Sequence, residues 1–219
     1  MISPDTPLPR INVVAIRLAC CADTAGAQRA IDDARRVGIS AEYLDGIDGY
    51  VAWLKRNYAV MLTLNEALPF SRNDQFMYIP AAFSRGMALR DLGDSTGATA
   101  AFEAAIEELD SLMTERPDDE RLHSALGVTY AMVGMEDEAL RAARRGVELL
   151  PFEREAWRGG YRLADLATVF AQFGQADSAV HYLEFLLDHP GDVTVSLLRL
   201  DPVWDPIRDT PEFRRLVDE

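Results

Sequence analysis

Three glycines recur at nearly constant spacing in the second half of the sequence. Gly93, Gly134 and Gly174 are separated by 41 and 40 residues, and each lies between two segments whose apolar residues recur with helical periodicity. Glycine readily takes the left-handed conformation that ends a helix. The spacing therefore predicts three helix hairpins that share one turn geometry.

Small and bulky residues keep fixed positions around these glycines. Small residues let two antiparallel helices approach closely, and bulky residues one turn away fill the space between them. A single hairpin cannot bury its own apolar face, so neighbouring hairpins must stack. We find no strict alternation typical of strands, and the chain is therefore predicted to be an all-α superhelix. The small residues seven before, the bulky residues four before and the alanines five after each glycine are Gly86, Gly127 and Ala167, then Leu89, Tyr130 and Phe170, then Ala98, Ala139 and Ala179.

The middle hairpin carries the most specific pattern. Leu126-Gly127, Tyr130, Gly134 and Ala139 are followed by a closing Pro151. In these residues the sequence resembles the tetratricopeptide repeat (TPR) family, whose repeat is about 34 residues long. An insertion of about seven residues adds two helical turns and preserves the buried face. We place the first insertion in a longer second helix that ends before residue 117, and the second insertion near residues 158–160.

A longer resemblance covers residues 85–216. The stretches 116–127, 146–151 and 198–213 are similar to the C-terminal repeat region of large bacterial signalling proteins. In those proteins a protein kinase, adenylate cyclase, winged-helix or TolB-like domain precedes the repeats. The resemblance implies that the chain is a sensory or scaffolding tail.

The remaining segments complete the predicted organisation. Residues 1–9, with three prolines, are expected to be an extended leader, and residues 10–219 a single helical array. Within the array, residues 10–74 are degenerate helices, 75–191 hold the three recognisable repeats, and 192–219 form a helical cap. Residues 10–37 fit a degenerate repeat, whereas 42–68 fit either one long helix or two short ones. In the cap, Trp204, Ile207 and Phe213 are expected to cover the apolar end of the last repeat.

Composition limits the compartment and the partners. The net charge of −14 argues against binding to nucleic acid or to an anionic membrane surface. No apolar run approaches the roughly 20 residues that span a bilayer, and we expect a cytoplasmic protein. The only two cysteines, Cys20 and Cys21, are adjacent. Such pairs rarely bridge, and these two form neither a disulfide framework nor a zinc-ligand set.

No residue pattern indicates catalysis. His181 and Glu184 have the spacing of a ligand pair on a helix, but a metal site needs three or four ligands. His123 and Ser124 are adjacent, and adjacent helical residues do not face each other. The many carboxylates are typical of a solvated helix face. We therefore predict no enzymatic activity, no cofactor and no metal.

A stacked array of this kind has a concave groove lined by the first helix of each hairpin. Because the groove residues are mixed but largely apolar, they suit an apolar peptide or a helix. The leading prediction is a protein-binding module, and the alternative is self-association as a homodimer through the apolar helix near Trp53. The residues expected to face a partner are Phe83, Met87, Arg90, Ser124, Val128, Met132, Tyr161, Ala164, Thr168 and Gln172.

Overall fold

The computed structural model describes residues 7–67 and 71–218. Ten helices of this part of the chain pair into five antiparallel hairpins, and each hairpin packs on the next. The hairpins are α1 (Pro7–Cys21) with α2 (Thr24–Arg36), α3 (Ala41–Leu54) with α4 (Tyr58–Ala67), α5 (Ala81–Asp91) with α6 (Ser95–Glu115), α7 (Glu120–Met132) with α8 (Glu136–Leu149), and α9 (Ala156–Gln172) with α10 (Ala176–Leu187). The fold is an all-α, TPR-like superhelix, as the sequence predicts.

The glycine turns have the predicted geometry. Gly93, Gly134 and Gly174 have φ angles of 87°, 79° and 69°. In each hairpin the residue after the glycine donates its backbone N–H to the carbonyl five residues earlier, at 3.0 Å. This bond satisfies a carbonyl at the end of the first helix and fixes the angle at which the second helix leaves.

The two upstream hairpins turn through a left-handed residue that is not glycine. Ala22 joins α1 to α2 with a φ angle of 51°, and Arg56 joins α3 to α4 with a φ angle of 56°. A side chain in this conformation costs about 1–2 kcal/mol. Because neither turn contains glycine, the glycine spacing does not mark them in the sequence. Residues 42–68 therefore contain two short helices rather than one long one.

Close helix approach depends on the small residues. A Cβ added to Gly127 would lie 2.8 Å from both the Cβ and the backbone N of Ala143, and one added to Gly86 would lie 2.6 Å from the ring of Phe102. Ala139 and Ala143, on the second helix of the middle hairpin, are fully buried. The pattern around the glycines thus reports real contacts between paired helices.

The extra residues lie where the sequence predicts. Helix α6 has 21 residues and runs to Glu115, two residues before Pro117. Helix α9 has 17 residues against 13 for α7 and contains residues 158–160 in its first turns. Both insertions lengthen helices and leave the stacking of the hairpins intact.

A helical cap follows the last hairpin. It consists of α11 (Val195–Leu200), a 3₁₀ turn (Pro202–Trp204) and α12 (Pro211–Asp218). Ile207 and Phe213 are fully buried, and Trp204 lies 6.3 Å from Phe213 between ring centroids. These side chains pack with Val180 and Leu183 of α10, which confirms the predicted cap.

Three details differ from the sequence-based expectations. The short strands β1 (Arg72–Asn73) and β2 (Tyr78–Ile79) pair antiparallel between α4 and α5. Cys20 and Cys21 form a disulfide, although adjacent cysteines were not expected to bridge. Helix α1 begins at Pro7, inside the predicted leader, whose residues 1–6 lie outside the described part of the chain.

Candidate partner-binding face

The predicted groove residues lie on α5, α7 and α9, and several of them are covered by other parts of the chain. Met87 is 5% exposed and Ser124 is 1% exposed, so a partner reaches neither unless the array opens. Phe83 stacks at a tilt on Phe102, with 5.8 Å between ring centroids. Val128 packs against a core cluster that includes Leu166 and Phe170. The groove role of all these residues stays a prediction.

Arg90 and Met132 come together across α5 and α7. The Arg90 Nη1 atom donates to the Met132 sulfur at 3.0 Å, and its Nε atom pairs with Asp91 at 2.9 Å. Gln172, the last predicted residue on α9, donates from Nε2 to the carbonyl of Val203 in the cap at 2.9 Å. These polar side chains are therefore engaged within the chain.

The groove residues are covered because the two ends of the array contact each other. The Trp53 indole N–H of α3 donates to Asp201 at 2.9 Å, and the Tyr50 hydroxyl donates to the same carboxylate at 3.2 Å. Thr194 donates from its hydroxyl to the carbonyl of Ala19, at the end of α1, at 2.8 Å. Leu197 and Leu200 of α11 pack against a core cluster that includes Val14 of α1 and Val51 of α3. The cap thus closes the inner side of the superhelix against the first two hairpins.

An ion pair continues this closure. Arg56, in the left-handed turn between α3 and α4, forms two bonds to the carboxylate of Asp205, at 2.5 and 2.9 Å. Burial raises the pKa of Asp205, but bonds from Arg56 and Arg208 outweigh it, and the net pKa is lowered. The side chain at Arg56 therefore makes a contact that glycine in the same turn cannot make.

A pocket of about 210 Å³ remains open on the inner side. Tyr161, Ala164 and Thr168 of α9 line it, so three predicted groove residues meet in one place. The opposite walls are Tyr50 of α3 and the cap residue Trp204, and further lining comes from Phe152, Ala156, Trp157, Gly160, Leu186, 189–193, Leu197, Leu198, Asp201 and Val203. Aromatic and apolar surface of this kind is typical of sites that bury part of a ligand.

The pocket lining holds two carboxyl groups and neither lysine nor arginine. Burial raises the pKa of Asp192, whose carboxylate accepts from the Tyr161 hydroxyl. Burial also raises the pKa of Asp201, although the Val203 N–H, Trp53 and Tyr50 donate to it. Burial and the neighbouring Asp201 carboxylate raise the pKa of the Tyr50 hydroxyl well above its ordinary value. A neutral or basic group suits this environment better than an acidic one.

Helix α9 also buries a charged side chain, Arg162, that the sequence does not single out, and this side chain pairs with the partly exposed Asp165. Arg162 is 1% exposed, and its Nη2 atom lies 3.4 Å from Asp165. Burial raises the pKa of Asp165, with Arg162 and Ser124 opposing the rise. Its position in the helix could have indicated the burial of Arg162, because this residue shares a helix face with the buried Leu166 and Val169.

The histidines considered above as catalytic or metal-binding residues make separate contacts. His123 contacts the carbonyl of Pro117 at 2.8 Å, and the His181 ring packs on Tyr182 with 5.3 Å between centroids. In residues 7–67 and 71–218, no group of three His, Cys, Asp or Glu side chains is placed to hold a metal ion. Within the same ranges, no helix combines the length and the apolar character needed to cross a membrane.

Comparison with known proteins identifies the fold. No protein-family model matches the sequence, and no curated protein matches it. A thermophilic TPR protein of Thermus thermophilus of known structure is similar at 17% identity, over 83% of this chain and 90% of its own, with a TM-score of 0.53. YrrB, described as a TPR protein with an unusual peptide-binding site, is 19% identical over 85% of this chain and 87% of its own, with a TM-score of 0.40. The first similarity supports the TPR-like fold.

Proposed function

We propose that this chain is a non-catalytic protein-interaction module that binds a peptide or helix of a partner protein on its inner, concave face. The observation that carries the proposal is the open pocket between α9, α3 and the cap. It gathers Tyr161, Ala164 and Thr168, which helical phase alone assigned to a partner-binding face. Apolar walls with a few polar groups favour a side chain of the partner as the anchor.

Charge supports a neutral or basic partner segment. The pocket lining has two carboxylates and neither lysine nor arginine, and the whole chain has a net charge of −14. Acidic or phosphorylated segments would be repelled by the pocket carboxylates and by the net charge of the whole chain. The sequence resemblance to the tails of bacterial signalling proteins supports a cytoplasmic scaffolding or sensory role for such binding.

A pocket-filling substitution tests the proposal. Ala164→Tyr on α9 should fill the pocket, and Ala100→Tyr on the exposed side of α6 is the matched control. Wild type and control should capture the same protein from bacterial lysate, and Ala164→Tyr should lose it. All three proteins must first show the same helical melting curve. Equal capture by all three, or capture by none, would refute a partner site in this pocket.

Self-association stays an alternative prediction. Its proposed surface surrounded Trp53, which is 5% exposed here because its indole faces Asp201 of the same chain. A homodimer would therefore have to use another surface or open the contact between the ends. Measuring the mass of the protein over a range of concentrations distinguishes this alternative from a monomeric binding module.

A further inference from the structure

Residues 71–80 form a short hairpin that lies against α7 and α9. Strands β1 and β2 pair Arg72 with Ile79, and the tip between them is a tight turn. At the tip, the Asp74 carboxylate accepts the backbone N–H groups of Phe76 and Met77 at 2.8 and 3.0 Å. Burial would raise the pKa of Asp74, but these N–H groups and Arg72 lower it overall, which keeps the carboxylate ionised. The turn therefore presents Phe76 in a fixed position.

The array holds this hairpin by its main chain. Arg121 of α7 donates to the carbonyl of Asp74 and, at 3.1 Å, to the side-chain oxygen of Asn73. The buried Arg162 of α9 donates to the carbonyl of Phe76 at 2.5 Å. Guanidinium groups that bind backbone carbonyls recognise the main chain with little dependence on its sequence.

One side chain of the hairpin is recognised by stacking. The Phe76 ring stacks on Tyr161 with 5.2 Å between centroids, and on Trp157 with 6.2 Å. Interplanar angles of 26° and 29° match the offset-stacked arrangement that aromatic pairs favour. The tip of the hairpin is thus bound through backbone carbonyls plus one aromatic ring, as a peptide ligand would be. Its base is anchored separately by Tyr78 of β2, which is buried beside Leu109 and Leu122 and donates from its hydroxyl to Glu108.

The hairpin leaves hydrogen-bond donors and apolar area of this binding surface without a contact. Arg162 is 1% exposed, yet its Nε and Nη1 atoms have no hydrogen-bond partner among the described residues. Trp157 remains 59% exposed although it contacts Phe76. Buried donors without acceptors are costly, so a peptide that offers further acceptors to Arg162 would gain over the hairpin.

We propose, building on the function proposed above, that Arg121, Trp157, Tyr161 and Arg162 form a binding site for a peptide turn that presents an aromatic side chain. The tip of the hairpin, residues 74–77, occupies this site as a resident ligand, which a partner peptide displaces. The site adjoins the open pocket, because Trp157 and Tyr161 line both. A partner peptide therefore places its aromatic ring at the Phe76 position and continues into the pocket.

The test uses the hairpin itself as the probe. A capped, fluorescein-labelled peptide of residues 72–79 is titrated against the full chain, with fluorescence anisotropy as the readout. Phe76→Ala removes the resident ring, and Asp74→Ala unpins the turn while leaving Phe76 in place. Both variants should bind the probe at least about tenfold more tightly than wild type. A probe with alanine in place of its phenylalanine should bind at least about tenfold more weakly.

Two additions to Phe76→Ala establish where the probe binds. Trp157→Ala should abolish the gain. Leu92→Ala, which truncates another exposed apolar side chain outside the proposed site, should preserve it. Circular dichroism melting checks that each variant is folded. If Phe76→Ala does not fold, Asp74→Ala answers the question alone.

Several outcomes would overturn the proposal. These are no gain in probe affinity in a folded variant, or equal binding of the alanine-containing probe. A wild-type dimer that becomes a monomer in Phe76→Ala would instead make the hairpin of a second copy the occupant. If the probe binds but no partner is captured from lysate, only the proposed function is weakened. If a partner is captured but the probe does not bind, only the proposal of a resident ligand is refuted.

Discussion

Replacing Asp201 with alanine should lower the free energy of unfolding by about 2–4 kcal/mol. Its carboxylate accepts from the Trp53 indole N–H at 2.9 Å, from the Val203 backbone N–H at 2.9 Å and from the Tyr50 hydroxyl at 3.2 Å. Because Trp53 is 5% exposed, its N–H would be left without a partner, at a cost of about 1–3 kcal/mol. The lost bond to Val203 at the start of the 3₁₀ turn adds about 0.5–2 kcal/mol.

Two effects keep the total below the sum of these ranges. The bond from Tyr50 is the longest of the three, at 3.2 Å, and we expect it to contribute least. Burial raises the pKa of Asp201, which means that the folded state carries a desolvated carboxylate whose removal offsets part of the loss. The indole bond is therefore expected to dominate the measured change.

A double-mutant cycle isolates that bond. The free energy of unfolding is measured by urea titration for wild type, Asp201→Ala, Trp53→Phe and the double variant. The coupling energy should be about 1–2 kcal/mol. Asp205→Ala is the matched control, because its pair with Arg56 also joins the two ends but is 41–45% exposed, and it should cost less than about 1 kcal/mol. A coupling energy below about 0.3 kcal/mol, within the error of additivity, would refute the reasoning.

Three further predictions concern packing, backbone conformation and pH. Gly127→Ala should destabilise the protein by about 1–3 kcal/mol in urea titration, because its Cβ would meet the Ala143 backbone at 2.8 Å; no change would contradict the close approach. On the Asp205→Ala background, Arg56→Gly should stabilise by about 0.5–1 kcal/mol, since the left-handed turn then loses its strain without losing an ion pair; a net loss would argue against strain there. Burial raises the folded-state pKa of Asp201, so the folded state binds the proton more readily, and the stability of wild type relative to Asp201→Asn should rise as pH falls from neutral through that pKa. A difference that does not vary with pH would show that the carboxylate is not desolvated.

The repeated hairpins could be predicted because their signals are local. A glycine such as Gly134 and a small residue such as Gly127 act within one hairpin, and their spacing is visible in the sequence. The left-handed conformation of the turns at Ala22 and Arg56 has no such signal, because ordinary side chains occupy the position there. Residues 22–24 predict a turn without its conformation, and the turn at Arg56 is clear only once the neighbouring helices are in place.

The candidate site was only partly predictable. Helical phase assigned Tyr161 and Thr168 to the inner face, and both line the pocket. Phase alone does not show what covers that face. The contacts that cover it join residues far apart in the chain, such as Trp53 with Asp201 and Phe76 with Arg162, which lie 148 and 86 residues apart. Two-residue strands are also too short to leave an alternating pattern, so the hairpin that carries Phe76 was not foreseen.

The contact between the ends changes how such a chain is expected to fold and unfold. An open array of repeats contacts only its nearest neighbours, so it can nucleate anywhere and fray from either terminus. Here Thr194 binds the carbonyl of Ala19 across 175 residues of sequence. Such a bond raises the contact order, and its loop-closure entropy is recovered only when every intervening hairpin has formed. Neither terminus can fray without releasing the other, so amide hydrogen exchange in α1 and in α11 should report one shared opening event.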